Sequence, residues 1–546
     1  MPDTSRWCNS IIRPFQKLAA LFRPQGASPA RPYTYVLASW AFLRLLGLVY
    51  VIAFGSLWIQ LDGLIGREGI VPVAPLLAAA QHHLGIERWW QFPTLCWLDA
   101  SDGFLYLLCG LGVGLGCLVM LGLLPALNLM LLWALYLSFA TVCQPWLGFQ
   151  WDNLLLETGF LSVWLAPLTL HDRLRRAVPP SPLALWSLRW LLIRLMFASG
   201  VVKLSSGDAT WRDLTALVYH YETQPLPTWI GWYAHQLPMT WQRASTLVMF
   251  VTELVVPWLI LAPRRLRLVA CGCLVALQLL IAATGNYGFF NLLALLLCLL
   301  LCDDAVWPRA WRARLDVTPF PATASAEGAQ LNVPPFPATV SAEGRQFNGA
   351  PSSARSRRWP AWGIAPVVLV LFIMSLVQTI GSFRWHIQWP TPIPQVASWV
   401  APFRTVNSYG LFAVMTTSRP EIIVEGSNDG QTWLPYAFPW KPGDVMRRPG
   451  FVAPYMPRLD WQMWFAALGS AQYQPWFRLF VERLLQGSPA VVGLLAHNPF
   501  PNTPPRYIRA VVYTYHFTDR ATQRTTGAWW RRERQGLYMP IVSLRR

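Results

Sequence analysis

Seven ionisable residues fall inside or at the edge of long apolar runs: Arg44, Asp152, Glu157, Arg189, Arg194, Lys203 and Glu253. At mid-bilayer each costs about 2.5–3.5 kcal/mol unless paired or wetted, so each needs an explanation. Arg194 and Glu253 sit near the centres of their runs with opposite signs, and Asn153 and Glu157, four residues apart, share one helix face. The expectation is a polar cluster of Glu157, Arg194 and Glu253 within a helical bundle, with Lys203 nearer the outer surface. Its blander role is pairing that fixes helix packing. Its sharper role is a polar cavity for a lipid headgroup, a peptide or a proton.

A second group lies in the loop 204–244, where Trp211, Asp213, Tyr219, His220, Tyr221, Glu222 and Gln224 crowd together. His220 with Glu222 has the groups for acid–base work. A hydrogen-bonded structural loop uses the same residues, and that reading is preferred. Asp208 is placed to cap a short helix running through Tyr219. There is no GxSxG elbow, HExxH, P-loop or paired-carboxylate signature, so no reaction is assigned. The nine cysteines show neither CxxC nor zinc spacing, and no metal or cofactor is expected. Cys96 and Cys143 are near enough to one outer face to bridge, but nothing fixes the pair.

These groups must be positioned by membrane helices. Of 546 residues, 54% are hydrophobic and only 13% charged, about half the usual charged share of a soluble domain. Apolar runs of bilayer length are expected near 35–60, 103–121, 126–146, 152–169, 184–203, 245–262, 268–284, 289–302 and 363–381. The runs at 152–169 and 289–302 are candidates for re-entrant segments. The net charge of +18 does not imply nucleic acid, because the basic residues flank the spans. Arginines gather in the N-terminal tail, at Arg173, Arg175 and Arg176, at Arg264, Arg265 and Arg267, and in the linker after 302. Loops 61–102 and 204–244 are mixed or acidic. The positive-inside rule then places the N-terminus in the cytoplasm and the residues after the last span outside it.

The expected division is a basic cytoplasmic tail (1–34), a multi-span helical domain of about eight spans (35–302), a linker (303–361), a last span (362–381) and an extracytoplasmic α+β domain (382–546). The linker holds a tandem repeat, VTPFPATASAEGAQLN followed by VPPFPATVSAEGRQFN (317–348), too poor in large apolar residues to fold. In the last region, Leu411–Thr416, Glu421–Val424, Gln431–Tyr436 and Arg506–Phe517 read as strands. Gly426–Gly430 is the hairpin turn between the second and third. Tyr507, Val511, Tyr513, Tyr515 and Phe517 are expected on one strand face. Asp460 is placed to cap a helix carrying Trp461 and Trp464, and a second helix runs near Pro475–Leu485. These helices either pack on the sheet or rest on the bilayer interface. EIIVEGSNDGQTW (421–433) resembles a strand–turn–strand unit of discoidin-like jelly rolls, implying a β-sandwich core.

Longer strings carry a resemblance across both halves: FQWDNLLLETGFL (149–161), RWLLIRLMFASGVVKLSSGDATWRDLTALVYHYETQPLP (189–227), RTVNSYGLFAVMTTSRPEIIVEGSNDGQTW (404–433), PRLDWQMWFAALG (457–469) and WWRRERQGLYMP (529–540). The chain closely resembles the lipase maturation factor family. That resemblance implies a non-enzymatic role in the folding and assembly of secreted lipases, performed in animals at the endoplasmic reticulum membrane by a C-terminal domain that faces the lumen and engages clients. Trp461, Trp464, Trp529 and Trp530 are then the aromatic candidates for client contact. The tandem linker is peculiar to this chain. The arginine-, tryptophan- and proline-rich composition points to a bacterial inner-membrane member, with a lipase or another exported hydrolase as client and membrane lipid as its surroundings. The alternative is a multi-span enzyme or lipid-handling protein similar in layout to vitamin K-dependent carboxylases. It requires Lys203, His220 or Glu222 to line a cavity open to the outer face.

Overall fold

A computed structural model of the chain describes residues 34–177, 179–313, 358–383 and 387–544. The basic tail up to residue 33 and the tandem repeat at 317–348 lie outside the described residues. Among the described residues, seven helices are long and apolar enough to cross a bilayer, and the chain is an integral membrane protein.

The first, α1 (Val36–Trp58), has 23 residues, about 35 Å at the α-helical rise. Its first amides are capped by the Asp304 carboxylate, which accepts from Val36 N at 3.1 Å and Leu37 N at 2.9 Å. Next come α2 (Asp102–Leu121), capped by Ser101 and closed by left-handed Gly122, and α3 (Pro125–Val142). Gly47 and Gly116 let α1 and α2 touch backbone to backbone: a Cβ on Gly47 would stand 2.8 Å from the Gly116 carbonyl oxygen.

Helix α4 (Gln150–Leu165) has only 16 residues and is buried on nearly every side. It is followed by α5 (Pro182–Ser205), the outer-loop helix α6 (Ala216–Thr223), α7 (Met239–Leu254) and α8 (Arg264–Thr284). Beyond α7, a 3-10 turn at Val256–Leu261 extends the same span. The ten-residue α9 (Phe290–Leu299) is again mostly buried, and α10 (Ala361–Gly381) is the last long helix. Seven of the nine expected spans therefore form full-length helices, and the two flagged as re-entrant form the short internal ones. A helix enclosed by others has its backbone and side chains satisfied by protein and need not match the bilayer thickness.

After α10 the chain builds one antiparallel sheet from β1 (Pro420–Ser427), β2 (Leu434–Pro435), β3 (Tyr507–Phe517) and β4 (Trp530–Val542), in the order β2-β1-β3-β4. The hairpin turn forms where expected: Asp429 Oδ1 accepts from Gln431 N and Thr432 N, and Gly430 has φ +74°. The described strands form this single sheet, not a two-sheet sandwich. Two helices lie between β2 and β3, α11 (Arg458–Ala467) and α12 (Pro475–Gln486). Leu411–Thr416 is not a strand. Its polar groups bond to the loop after α5 instead, with Met415 N on Asp208 Oδ2 at 2.5 Å and Trp211 Nε1 on the Phe412 carbonyl at 3.0 Å.

The expected single apolar face of β3 also fails. Ile508 and Ala510 are buried, then Val511, Tyr515 and Phe517. The pairing of β3 with β1 runs unbroken from Tyr507 to Thr514, so these two sets lie on opposite faces and both faces of the strand are covered, while the register shifts against β4 place the extra residues on β4. The described residues from Tyr35 onward form one compact unit, so the sheet and the bundle share a core.

Candidate functional site: the buried polar seam

Charged side chains sit where the C-terminal region meets the bundle, and each is answered by a specific partner. The segment after α10 dips between the helices at Arg404–Tyr409. Glu157 on α4 pairs with the Arg194 guanidinium on α5. Its other oxygen accepts from Tyr409 Oη at 2.8 Å and Asn407 N at 2.9 Å. Asn407 Nδ2 donates to the Asn153 carbonyl at 3.2 Å, and Arg404 Nη1 to Asn153 Oδ1 at 3.1 Å. The shared face of Asn153 and Glu157 is therefore a dock for this segment.

Glu253 does not join that cluster, contrary to the expectation. It pairs with Lys203, whose Nζ lies 2.8 and 2.7 Å from its two oxygens. The reason is helical phase. Arg194 and Lys203 are nine residues apart on α5, about two and a half turns, and so point to opposite sides. One meets α4 and the other α7.

A third pair carries the longest reach in sequence. Asp152, at the start of α4, accepts from Arg458 Nη1 at 2.7 Å and Nη2 at 2.8 Å, and from Tyr136 Oη at 2.6 Å. Arg458 opens α11. Sequence reasoning flagged Asp152 but missed Arg458, Arg404, Asn407 and Tyr409. Their signal was present only as the polar letters of the strings at 404–410 and 457–460.

The outer loop forms the fourth contact. Asp208 caps only the four-residue turn Ala209–Arg212 through Thr210 N at 2.8 Å, so no helix runs from it to Tyr219. Trp211 is buried against Phe250, Asp213 is exposed, and Tyr221 is half-buried beside His220. His220 lies edge-on to Phe412, with Nε2 3.2 Å from Tyr287 Oη. The Tyr287 proton goes to Gln224 Oε1 at 2.8 Å, so His220 Nε2 donates to the tyrosine oxygen. Burial, then the nearby Lys203 charge, lowers the imidazole to about 4. Glu222 accepts from Phe517 N at 2.7 Å and lies 3.0 Å from His516 Nδ1, which ties α6 to β3. Arg419, fully buried, donates to the carbonyls of Glu222 and Pro225 at 2.7 and 2.8 Å and pairs with Glu421 at 2.8 Å. Lys203, His220 and Glu222 are thus each engaged in packed contacts, and the carboxylase-like layout loses its required cavity lining.

Three of the four aromatic client candidates face inward. Trp461 stacks edge-on with Trp151 at 4.7 Å, Trp464 Nε1 donates to the Thr223 carbonyl at 2.8 Å, and Trp530 packs on Phe517 at 4.4 Å. Trp529 is half-buried against Trp232. The tryptophans of α11 pack on the first turn of α4 and the end of α6. Asp460 does not cap α11. It sits in the first turn and accepts from Trp440 N and Lys441 N at 2.9 and 2.8 Å. Cys96 and Cys143 are both free, and no group of side chains suited to a metal ion occurs among the described residues.

Comparison with known proteins addresses both halves. Residues 37–309 match the profile of the lipase maturation factor transmembrane domain, and residues 405–540 that of the lipase maturation factor C-terminal domain. The chain is 39% identical to lipase maturation factor 2 of Homo sapiens over 588 residues, covering 92% of this chain and 82% of that protein. It is 38% identical to lipase maturation factor 2 of Gallus gallus, covering 95% and 82%, and 34% identical to lipase maturation factor 1 of Mus musculus, covering 96% and 91%. No solved structure matches. With both profiles matched and relatives aligned over nearly the whole length, this chain belongs to the lipase maturation factor family.

Proposed function

We propose that this protein is a membrane-anchored factor that helps an exported protein, by kinship a lipase, reach its folded and active form, and that it turns over no small molecule. The observation that carries this is the similarity to named lipase maturation factors across both the helical bundle and the C-terminal region. The buried seam gives it a physical basis, because Asp152–Arg458 and Glu157–Arg194–Asn407 fix the C-terminal region to the bundle instead of leaving it on a loose tether. We assign residues 1–34 and the linker 303–361 to the cytoplasm, and 382–546 to the opposite side with the loops 61–102 and 204–244. The arginine distribution supports that orientation.

Buried Trp461, Trp464 and Trp530 serve the fold, so client contact falls to what the region exposes. Leu537 and Ile541 of the edge strand β4 stand out to solvent beside Arg531, Arg532 and Arg534 of the same strand, and Tyr473 is exposed in the turn before α12. Arginine and tyrosine beside apolar groups suit a protein interface.

The test is co-expression of a secreted lipase with and without this chain, with lipase activity measured per unit of lipase protein. The expected result is a several-fold gain in specific activity that survives His220→Gln. Unchanged specific activity across a panel of exported hydrolases removes the maturation reading. A fusion reporter after Arg546 active only in the cytoplasm removes the orientation.

A further inference from the structure

A cavity of about 300 Å³ opens between α5 and α10, beside the Leu261 turn. This is the lower end of the size range of small-molecule sites. Trp186 and Trp190 form one wall and Leu371 and Phe372 the other, while Glu157 and Arg194 form the floor. Among the described residues the mouth is lateral: Leu261 is 54% and Phe372 42% exposed, on faces that the bilayer would bathe. Trp190 spans the gap, its Nε1 donating to Ser375 Oγ at 2.8 Å and its ring packed on Phe372 at 5.2 Å between centroids, so the walls are joined there and the cavity opens beside Leu261.

The floor supplies the second observation. Arg194 is 3% exposed. Its two terminal nitrogens are engaged by Glu157 and by the Asn407 carbonyl. Its Nε is buried without a hydrogen-bond partner among the described residues. A buried donor left unpaired loses its hydration without a replacement and favours an acceptor that can reach it. The charge balance decides what can satisfy it. Glu157 and Arg194 already form a neutral pair, and Glu157 is saturated by Tyr409 and Asn407. An added carboxylate or phosphate would leave net negative charge in hydrocarbon and compete with Glu157 for the same guanidinium. A neutral oxygen would not.

We infer that this cavity binds a neutral single-chain lipid, a monoacylglycerol or long-chain alcohol, whose oxygen accepts from Arg194 Nε while its chain runs past Trp186 and Leu371 towards the exposed Leu261 and the bilayer. This site is independent of the client surface proposed above.

The probe is a monoacylglycerol carrying a photoreactive diazirine and an alkyne on its chain, mixed into phosphatidylcholine vesicles holding the full-length protein. Peptide mass spectrometry then maps the adducts. Adducts are expected on 183–193 and 368–375, displaced by unlabelled monoacylglycerol or by the long-chain alcohol but not by the corresponding fatty acid at a pH where it is ionised. Leu371→Trp, which fills the cavity without touching the charged floor, is expected to cut this labelling at least tenfold. Adducts on Leu107 and Leu111, exposed on the outer face of α2, report ordinary surrounding lipid and are expected to stay unchanged. Val368→Phe on the same wall repeats the measurement if Leu371→Trp unfolds. Labelling no denser than on α2, or indifferent to both filling variants, means annular lipid only and overturns the site. Displacement by the fatty acid anion as effective as by the neutral lipid overturns the assigned chemistry.

Discussion

Asp152 and Arg458, 306 positions apart in the chain, meet in a two-pronged ion pair at 2.7 and 2.8 Å with neither side chain exposed. One begins a bundle helix and the other begins the first helix of the C-terminal region, so the pair is a rivet between the two halves. Removing one partner strands a buried charge. Asp152→Asn and Arg458→Met are each expected to cost about 3–5 kcal/mol, and the double variant less than their sum. Unfolding of the purified protein in detergent, run as a double-mutant cycle, measures the coupling. Additive losses would show that the pair does not act as a unit.

Arg194 and Lys203 on α5 have separate acidic partners, which makes pairing testable by exchange. Lys203→Glu or Glu253→Lys alone should lower the amount of folded protein several-fold, and the two together should restore much of it. Exchanging Arg194 with Glu253 should restore nothing, because Glu253 on α7 faces Lys203 while Arg194 points from the opposite side of α5 towards α4. Fluorescence-detected size exclusion of the full chain reads all four variants. Rescue by the Arg194–Glu253 exchange would contradict the two-pair arrangement.

Gly116 and Gly114 are two residues apart on α2 but face different surroundings. A Cβ on Gly116 meets Val51 Cγ2 at 2.8 Å and the Gly47 carbonyl at 3.0 Å, whereas one on Gly114 meets nothing within 4 Å. Gly116→Val is expected to destabilise the protein by about 1–3 kcal/mol through forced separation of α1 and α2, and Gly114→Val by much less. Thermal midpoints of the two variants in one detergent settle the comparison.

Asp460 should make stability depend on pH. Burial raises its carboxyl to about 6 from 3.8 despite the Lys441 and Trp440 amides. A raised carboxyl favours the protonated folded state, so its contribution is complete below pH 3.8 and lost as pH rises through 6. Asp460→Asn keeps an acceptor for both amides and does not titrate. Relative to wild type it should gain about 3 kcal/mol between pH 3.5 and pH 8. Denaturation curves at the two pH values test this, and parallel pH profiles would rule out Asp460 as the source.

Membrane insertion, the places of the long helices and the Asp429 hairpin were legible in the chain, because each depends on neighbours in sequence: a run of apolar residues long enough for a bilayer, or a turn whose side chain bonds its own backbone. The ionisable residues in the spans were legible as costly, and hence as paired. Their partners were not. Nothing local distinguishes Glu253 from Glu157 as the mate of Arg194; only the rotation of α5 between positions 194 and 203 does. Asn407, Tyr409 and Arg458 look like ordinary loop and helix-start residues until the chain after α10 folds back into the bundle. The inward tryptophans of α11 follow the same rule: their large apolar area announced burial against something, while the choice of Trp151 and Phe149 over the sheet or the bilayer was made by tertiary packing. Sequence fixes what each residue needs from its surroundings, and long-range geometry decides which residue supplies it.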